Sequence, residues 1–141
     1  MKRTSKAVWH GSGKEGGGHL TTPTNVLNKH AYNHHSRFGE GTHTNPEELI
    51  AAAHAGCFSM KLAFVLGEAG FTPESIETTS TVTIESGTIT GSHLVVKAKV
   101  PGISHEKLEE SAIKAKDTCP VSKALAAIDV TIEVTPVESM A

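Results

Sequence analysis

Aromatic side chains are scarce in this 141-residue chain, at 4% of residues against 38% hydrophobic residues in all. A core built mainly from Val, Ile, Leu and Ala is thin, which leaves room for stabilisation by a second copy. Positive charge is neither abundant nor clustered. The formal net charge is -2, the lysines are scattered, and no basic patch interleaves with aromatics, which argues against a nucleic-acid partner. The basic start "MKRTSKAVWHGSG" has no apolar run behind it, unlike a secretory leader. A cytoplasmic protein is expected. Cysteine is limited to Cys57 and Cys119, with no CxxC, so a metal knuckle is not indicated. In a reducing compartment a standing disulfide is uncommon, and any pairing of the two is expected to be transient and catalytic. Nine histidines raise a metal reading, but no HExxH motif accompanies them.

Residues 49–66 form the one long apolar run. His54, Ser59 and Lys61 interrupt it, so a buried soluble helix is expected rather than a membrane span. Asn45 is an N-cap, Pro46 falls at N1 and Glu48 at N3, and Gly70 marks the end. Between Leu49 and Met60 no formal charge occurs with His54 neutral. A helix apolar on every side is a core helix, and its small residues over 51–56 allow close approach of another backbone. It is expected to meet a second subunit as well as its own sheet.

Before this helix, short strands are expected near 6–10, 18–22 and 26–29. The Gly-rich "GSGKEGGG" lacks a GK[ST] ending, so it is a hairpin turn, not a phosphate loop. After it, residues 76–85 alternate with period two and predict a strand. "ESGT" is a turn, and "TITGSHLVVKAKV" returns as a second strand. A helix follows over 104–118, with Leu108, Ala112 and Ala115 on one face and a Glu110–Lys114 pair. Pro120 opens a short third helix. A final strand points Ile128, Val130, Ile132 and Val134 inward. This order predicts one α+β domain over 1–141, with antiparallel sheet and segregated helices.

Cys57 has two readings. Free cysteine often serves as a small buried hydrophobe. Reactivity needs a thiolate, hence a nearby cation or helix N-terminus, and Cys57 lies more than two turns inside its helix. A cation must come from elsewhere. Arginine is limited to Arg3 and Arg37, and Arg37 lies eight residues before the N-cap. Its guanidinium could bridge a thiolate, a peroxide oxygen and a carboxylate, or be a solvated loop charge. Glu47, at N2, has no capping task and could hold Arg37 in place. Glu47 and Cys57 are roughly 15 Å apart along one helix, so both can serve one centre only across a dimer. Cys119, at a helix cap before Pro120, is placed to feel the next helix dipole and to attack a partner sulfur; the alternative is a cap-position filler. His54 shares a face with Cys57. A Cys–His pair and a hydrogen-bonded core histidine are both open, the second being the commoner arrangement.

"TNPEELIAAAHAGCFSM", with "SRF" upstream, "LGEAGFTPESI" and "KAKDTCPVSKAL" downstream, resembles the OsmC/Ohr family, and its OsmC branch most fully. The resemblance implies antiparallel sheets wrapped around two central helices in an intertwined homodimer. It implies a thiol-dependent peroxidase of organic hydroperoxides, with no metal or organic cofactor. By the same resemblance Cys57 is peroxidatic, Cys119 resolves it as a disulfide, and Arg37 and Glu47 activate the thiol. An apolar peroxide tail would sit among Phe38, Phe58 and Met60, and an external thiol or dithiol would recycle the disulfide. The alternative is a non-redox, metal- or ligand-binding stress-related domain.

Overall fold

The computed structural model describes residues 1–37 and 43–137. The chain divides into two compact units, residues 1–49 and 50–141. In the first, β1 (Lys6–His10), β2 (Gly17–Thr21) and β3 (His30–Tyr32) form an antiparallel sheet in that order. "GSGKEG" is the β1–β2 turn: the Gly16 N–H donates to the Ser12 carbonyl at 2.8 Å. Gly18 stands between Trp9 and Tyr32 in the register, and its missing side chain lets those rings meet edge to face at 5.3 Å. The third strand is displaced from the expected 26–29. Asn25 and Lys29 adopt positive φ, and Thr22 and Leu27 close a loop, so extension begins only at His30.

α1 (Pro46–Glu68) starts as the Asn45–Pro46 pair predicts, with the Asn45 Oδ1 accepting from the Glu48 N–H at 2.8 Å. It ends in a Schellman motif. Gly70 takes φ 90°, its N–H donates to the Gly67 carbonyl, and the Phe71 N–H donates back to the Leu66 carbonyl.

In the second unit, β4 (Ser75–Glu85) and β5 (Thr88–Lys99) pair antiparallel through a two-residue turn. Ser86 and Gly87 both have positive φ, the geometry that matches the twist of a hairpin. α2 (His105–Thr118) and α3 (Pro120–Ala124) then lead to β6 (Asp129–Pro136). β6 joins β5 parallel, a departure from an all-antiparallel sheet. The cause is the helical crossover: a chain that returns through helices can enter the sheet in the direction it left. α2 is capped by the Ser104 hydroxyl accepting from the Lys107 N–H at 3.1 Å. Lys107 reaches Glu110, and Lys114 reaches Glu68, instead of the expected Glu110–Lys114 pair.

The sheet is two-faced. Leu94, Val96 and Ala98 of β5 are buried, with Ile76 of β4 and Val130, Ile132 and Val134 of β6 packed against the same cluster. Leu108, Ala112 and Ala115 of α2 close it, as their spacing predicts. α1 contributes His54, Phe58, Leu62, Val65 and Leu66, one stripe at helical spacing. Burial of a side chain such as Phe58 stabilises the fold by about 1.5–3 kcal/mol. The rest of α1 is not enclosed within the chain: Met60 is 61% and Phe64 64% exposed. By length and composition α1 could cross a bilayer, but its apolar surface is divided between this core stripe and the exposed face.

Candidate active site

Cys57 and Cys119 are brought together in the second unit. They lie 62 positions apart in sequence, yet their sulfurs are 3.0 Å apart and share a hydrogen bond, both thiols being reduced. α1 supplies Cys57, half-buried beside the core cluster. Cys119 is fully buried and does two local tasks: it ends α2, its N–H donating to the Ala115 carbonyl, and it is the N-cap residue of α3. Pro120, at the first position of α3, separates those helices.

Two thiols this close titrate as a unit. Burial pushes Cys57 up from the ordinary thiol value, and its hydrogen bond to Cys119 adds to this; the Val121 N–H and the Lys61 charge oppose it. Burial also acts to raise Cys119. There it is outweighed, first by the contact with the Cys57 thiol and then by the neighbouring Ser122 and Val121 N–H groups and the Ser122 hydroxyl, so Cys119 is pulled down. The surroundings of the pair therefore favour the anion on Cys119 over Cys57.

His54 is a buried, hydrogen-bonded core histidine and does not form a Cys–His pair. Its Nδ1 meets the Ser92 Oγ at 2.6 Å and its Nε2 the Ser122 Oγ at 2.8 Å. Burial lowers its pKa, so it is neutral at physiological pH. Ser80 Oγ continues the chain, 3.1 Å from Ser92 Oγ.

Arg37 and Glu47 belong to the first unit. Arg37 closes a 3-10 turn, His35–Arg37, and Glu47 stands in the first turn of α1. Asn45 ties that turn down, its side-chain amide donating to the Ser36 carbonyl at 2.9 Å. Phe38 lies outside the described residues. Phe58 and Met60 do not line one pocket within a chain: two residues apart on a helix they point to opposite sides, Phe58 into the core and Met60 outward. Among the described residues, no group of three His, Cys, Asp or Glu side chains could hold a metal ion.

Sequence reasoning passed over Lys61, Ser80, Ser92 and Ser122. Lys61 was visible as the cation one turn after Cys57. Ser80 and Ser92 carried a weaker signal, as polar residues at inward positions of strands whose other inward residues are largely apolar.

Fold and site together define a two-thiol centre on an α+β scaffold with its helices gathered on one face of a mixed sheet. The family model of the OsmC-like protein matches residues 39–134. The chain is 45% identical over 131 residues to the peroxiredoxin OsmC of Escherichia coli strain K12, covering 90% of this chain and 92% of that protein. It is 39% identical over 97 residues to the organic hydroperoxide resistance protein OhrA of Bacillus subtilis, covering 64% and 67%. The crystal structure of OhrB from Bacillus subtilis superposes with a TM-score of 0.69 at 29% identity, over 94% of this chain and 98% of that one. The chain belongs to the OsmC-like protein family.

Proposed function

We propose that this chain is a cysteine-based peroxidase that reduces organic hydroperoxides to alcohols. The observation that carries the reading is the pair of reduced sulfurs 3.0 Å apart, close enough for one to answer oxidation of the other. The Arg37 guanidinium, held by Glu47, draws the charge of the pair onto Cys57. The Cys57 thiolate attacks one peroxide oxygen. A sulfur–oxygen bond forms, the oxygen–oxygen bond breaks, and the alkoxide takes a proton and leaves as alcohol. Cys57 is left as a sulfenic acid. The Cys119 thiolate attacks that sulfur, a disulfide forms and hydroxide leaves, to be protonated to water. An external thiol or dithiol restores both thiols by exchange.

The working unit is a homodimer of OsmC-like domains, each spanning 1–141. Its second copy covers the Met60 and Phe64 face of α1, which a single chain leaves exposed. Met60 and Phe38 meet the apolar tail of the peroxide, while Phe58 supports Cys57 from the core side. The reading requires no metal, organic cofactor, nucleic acid or membrane, and it places the protein in the cytoplasm.

Hydroperoxide consumption with a dithiol reductant tests this for wild type, Cys57→Ser and Cys119→Ser. Intact masses after one peroxide equivalent accompany it. Wild type should lose two mass units and Cys119→Ser should gain one oxygen. Full turnover by Cys57→Ser would sink the proposal. Phe64→Lys tests the dimer: a mass by light scattering that stays at two chains speaks against that face as the interface.

A further inference from the structure

The first unit holds a cavity that the thiol chemistry does not use. Its volume is about 470 Å³, in the range of small-molecule sites. Trp9 and Tyr32 give it an aromatic lining, and Lys14 reaches it from the β1–β2 turn. Asn33, His34 and Pro46 line it too. Among the described residues no Asp or Glu lines it, and its permanent charge is the Lys14 ammonium.

The aromatic wall is built into the sheet. Trp9 of β1 and Tyr32 of β3 flank Gly18 of β2 in the register. A Cβ at Gly18 would fall 2.9 Å from the Trp9 ring and 3.0 Å from the Tyr32 ring, so glycine is what lets both rings lie over the central strand. Covering a strand glycine accounts for the rings meeting there. It accounts neither for the open volume against them nor for the cation at its edge. The Trp9 indole N–H donates to the carbonyls of Gly11 and Ser12, each at 3.2 Å. Those two residues belong to the turn that carries Lys14. Ser12 closes that turn, its carbonyl accepting from the Gly16 N–H and its hydroxyl from the Glu15 N–H at 3.0 Å. The ring and the lysine backbone are therefore held on one hydrogen-bonded piece, an arrangement that lowers the cost of binding.

The polar groups have donors to spare. Asn33 Oδ1 accepts from the Ser36 N–H at 2.9 Å, so the amide nitrogen is the end that remains to donate. Among the described residues, neither the Lys14 ammonium nor the Tyr32 hydroxyl has a hydrogen bond or an ion pair. A flat apolar wall with donors at its rim suits a ligand with an aromatic body and a negative charge. Lysine acts as a point charge, and one ammonium is matched by one carboxylate.

We infer that this cavity binds a small aromatic carboxylate, its ring against Trp9 and Tyr32 and its carboxylate on Lys14. The site goes beyond the peroxidase reading and does not rest on it.

Trp9 is the single tryptophan of the chain, so its emission reports on the cavity directly. The probe is phenylpropionate, with phenylpropionamide as its uncharged counterpart, added to the full reduced chain at low salt. The carboxylate should change the emission saturably and bind about tenfold more tightly than the amide, the scale of one hydrogen bond to a charged group. Lys14 is exposed, so Lys14→Met leaves the fold alone. It should bring the carboxylate down to the affinity of the amide and leave the amide as it was, while Lys14→Arg keeps the difference. The indole N–H resonance of Trp9 should move along the same saturation curve in nitrogen–proton correlation spectra. Equal affinities for the two probes overturn the inference, as does full discrimination in Lys14→Met. Binding that leaves the indole resonance unmoved puts the ligand elsewhere and is equally fatal, as is no saturation by the carboxylate up to about 20 mM. No peroxide enters the measurement, so a negative result leaves the peroxidase reading standing, and loss of that reading leaves this site standing.

Discussion

Oxidising the wild-type chain with one equivalent of an alkyl hydroperoxide should raise its resistance to urea. The bond between Cys57 and Cys119 closes a loop whose ends are 62 positions apart. Loop-closure entropy of that length removes about 14 cal/mol/K from the unfolded ensemble, or about 4 kcal/mol at 25 °C. Native distortion subtracts little. The sulfurs stand 3.0 Å apart before reaction, so bonding asks them to approach by about 1 Å. With a urea slope of about 2 kcal/mol per molar for a chain of this size, the midpoint should rise by about 2 M. The measurement is equilibrium unfolding of reduced and oxidised protein at one protomer concentration, because a dimer makes the midpoint concentration-dependent. Cys119→Ser, treated identically, should take up oxygen and keep the midpoint of its untreated form. A disulfide confirmed by mass, with a midpoint equal to or below that of the reduced chain, would refute the argument. It would mean that pairing the sulfurs strains the α2–α3 junction by as much as the loop entropy stabilises.

Acid should act on His54 in a definite direction. Its folded pKa lies below the ordinary 6.5, so below that value the unfolded chain binds a proton that the native chain refuses. Its contribution to stability is present above about pH 6.5 and is lost as pH falls toward the folded value; His54→Gln should show a flatter stability profile between pH 7 and 5 by urea unfolding. Phe58→Ala should cost about 3–5 kcal/mol in the same assay, since the ring is fully enclosed. Met60→Ala, at a site 61% exposed in one chain, should cost under about 0.5 kcal/mol unless a second copy covers it, so a larger loss measures that cover. Arg37→Met should slow oxidation of Cys57 by about a hundredfold in stopped-flow, while closure of a preformed sulfenic acid by Cys119 is unchanged.

The parts of this architecture that depend on near neighbours were legible in the sequence. Asn45, Pro46 and Gly70 mark the ends of α1 by local chemistry, and each stands where it should. The stripe of Leu108, Ala112 and Ala115 reports its own core face. The parallel entry of β6 was not legible, because alternation marks a strand and its buried side but carries no direction. The pairing of the cysteines came through resemblance, since nothing in spacing alone brings residues 57 and 119 together. The chain of serines on His54 was hidden for the same reason. Ser92 and Ser122 are 38 and 68 positions from His54, and a serine in an alternating strand is ordinary until its partner is known.

One asymmetry of the thiol pair bears on how the protein is recharged after each turnover. Cys57 is partly open to solvent and Cys119 is sealed. In the proposed cycle an incoming reductant would meet the disulfide from the Cys57 side and form its mixed disulfide there. The sulfur expelled is Cys119, the one whose surroundings favour the anion, and a more acidic thiol leaves faster. The enclosure that hides Cys119 from outside reagents makes it the outgoing half of the bond. On the proposed mechanism, reduction would have a polarity set by the scaffold, with the expelled thiolate left beside Cys57 for the next cycle.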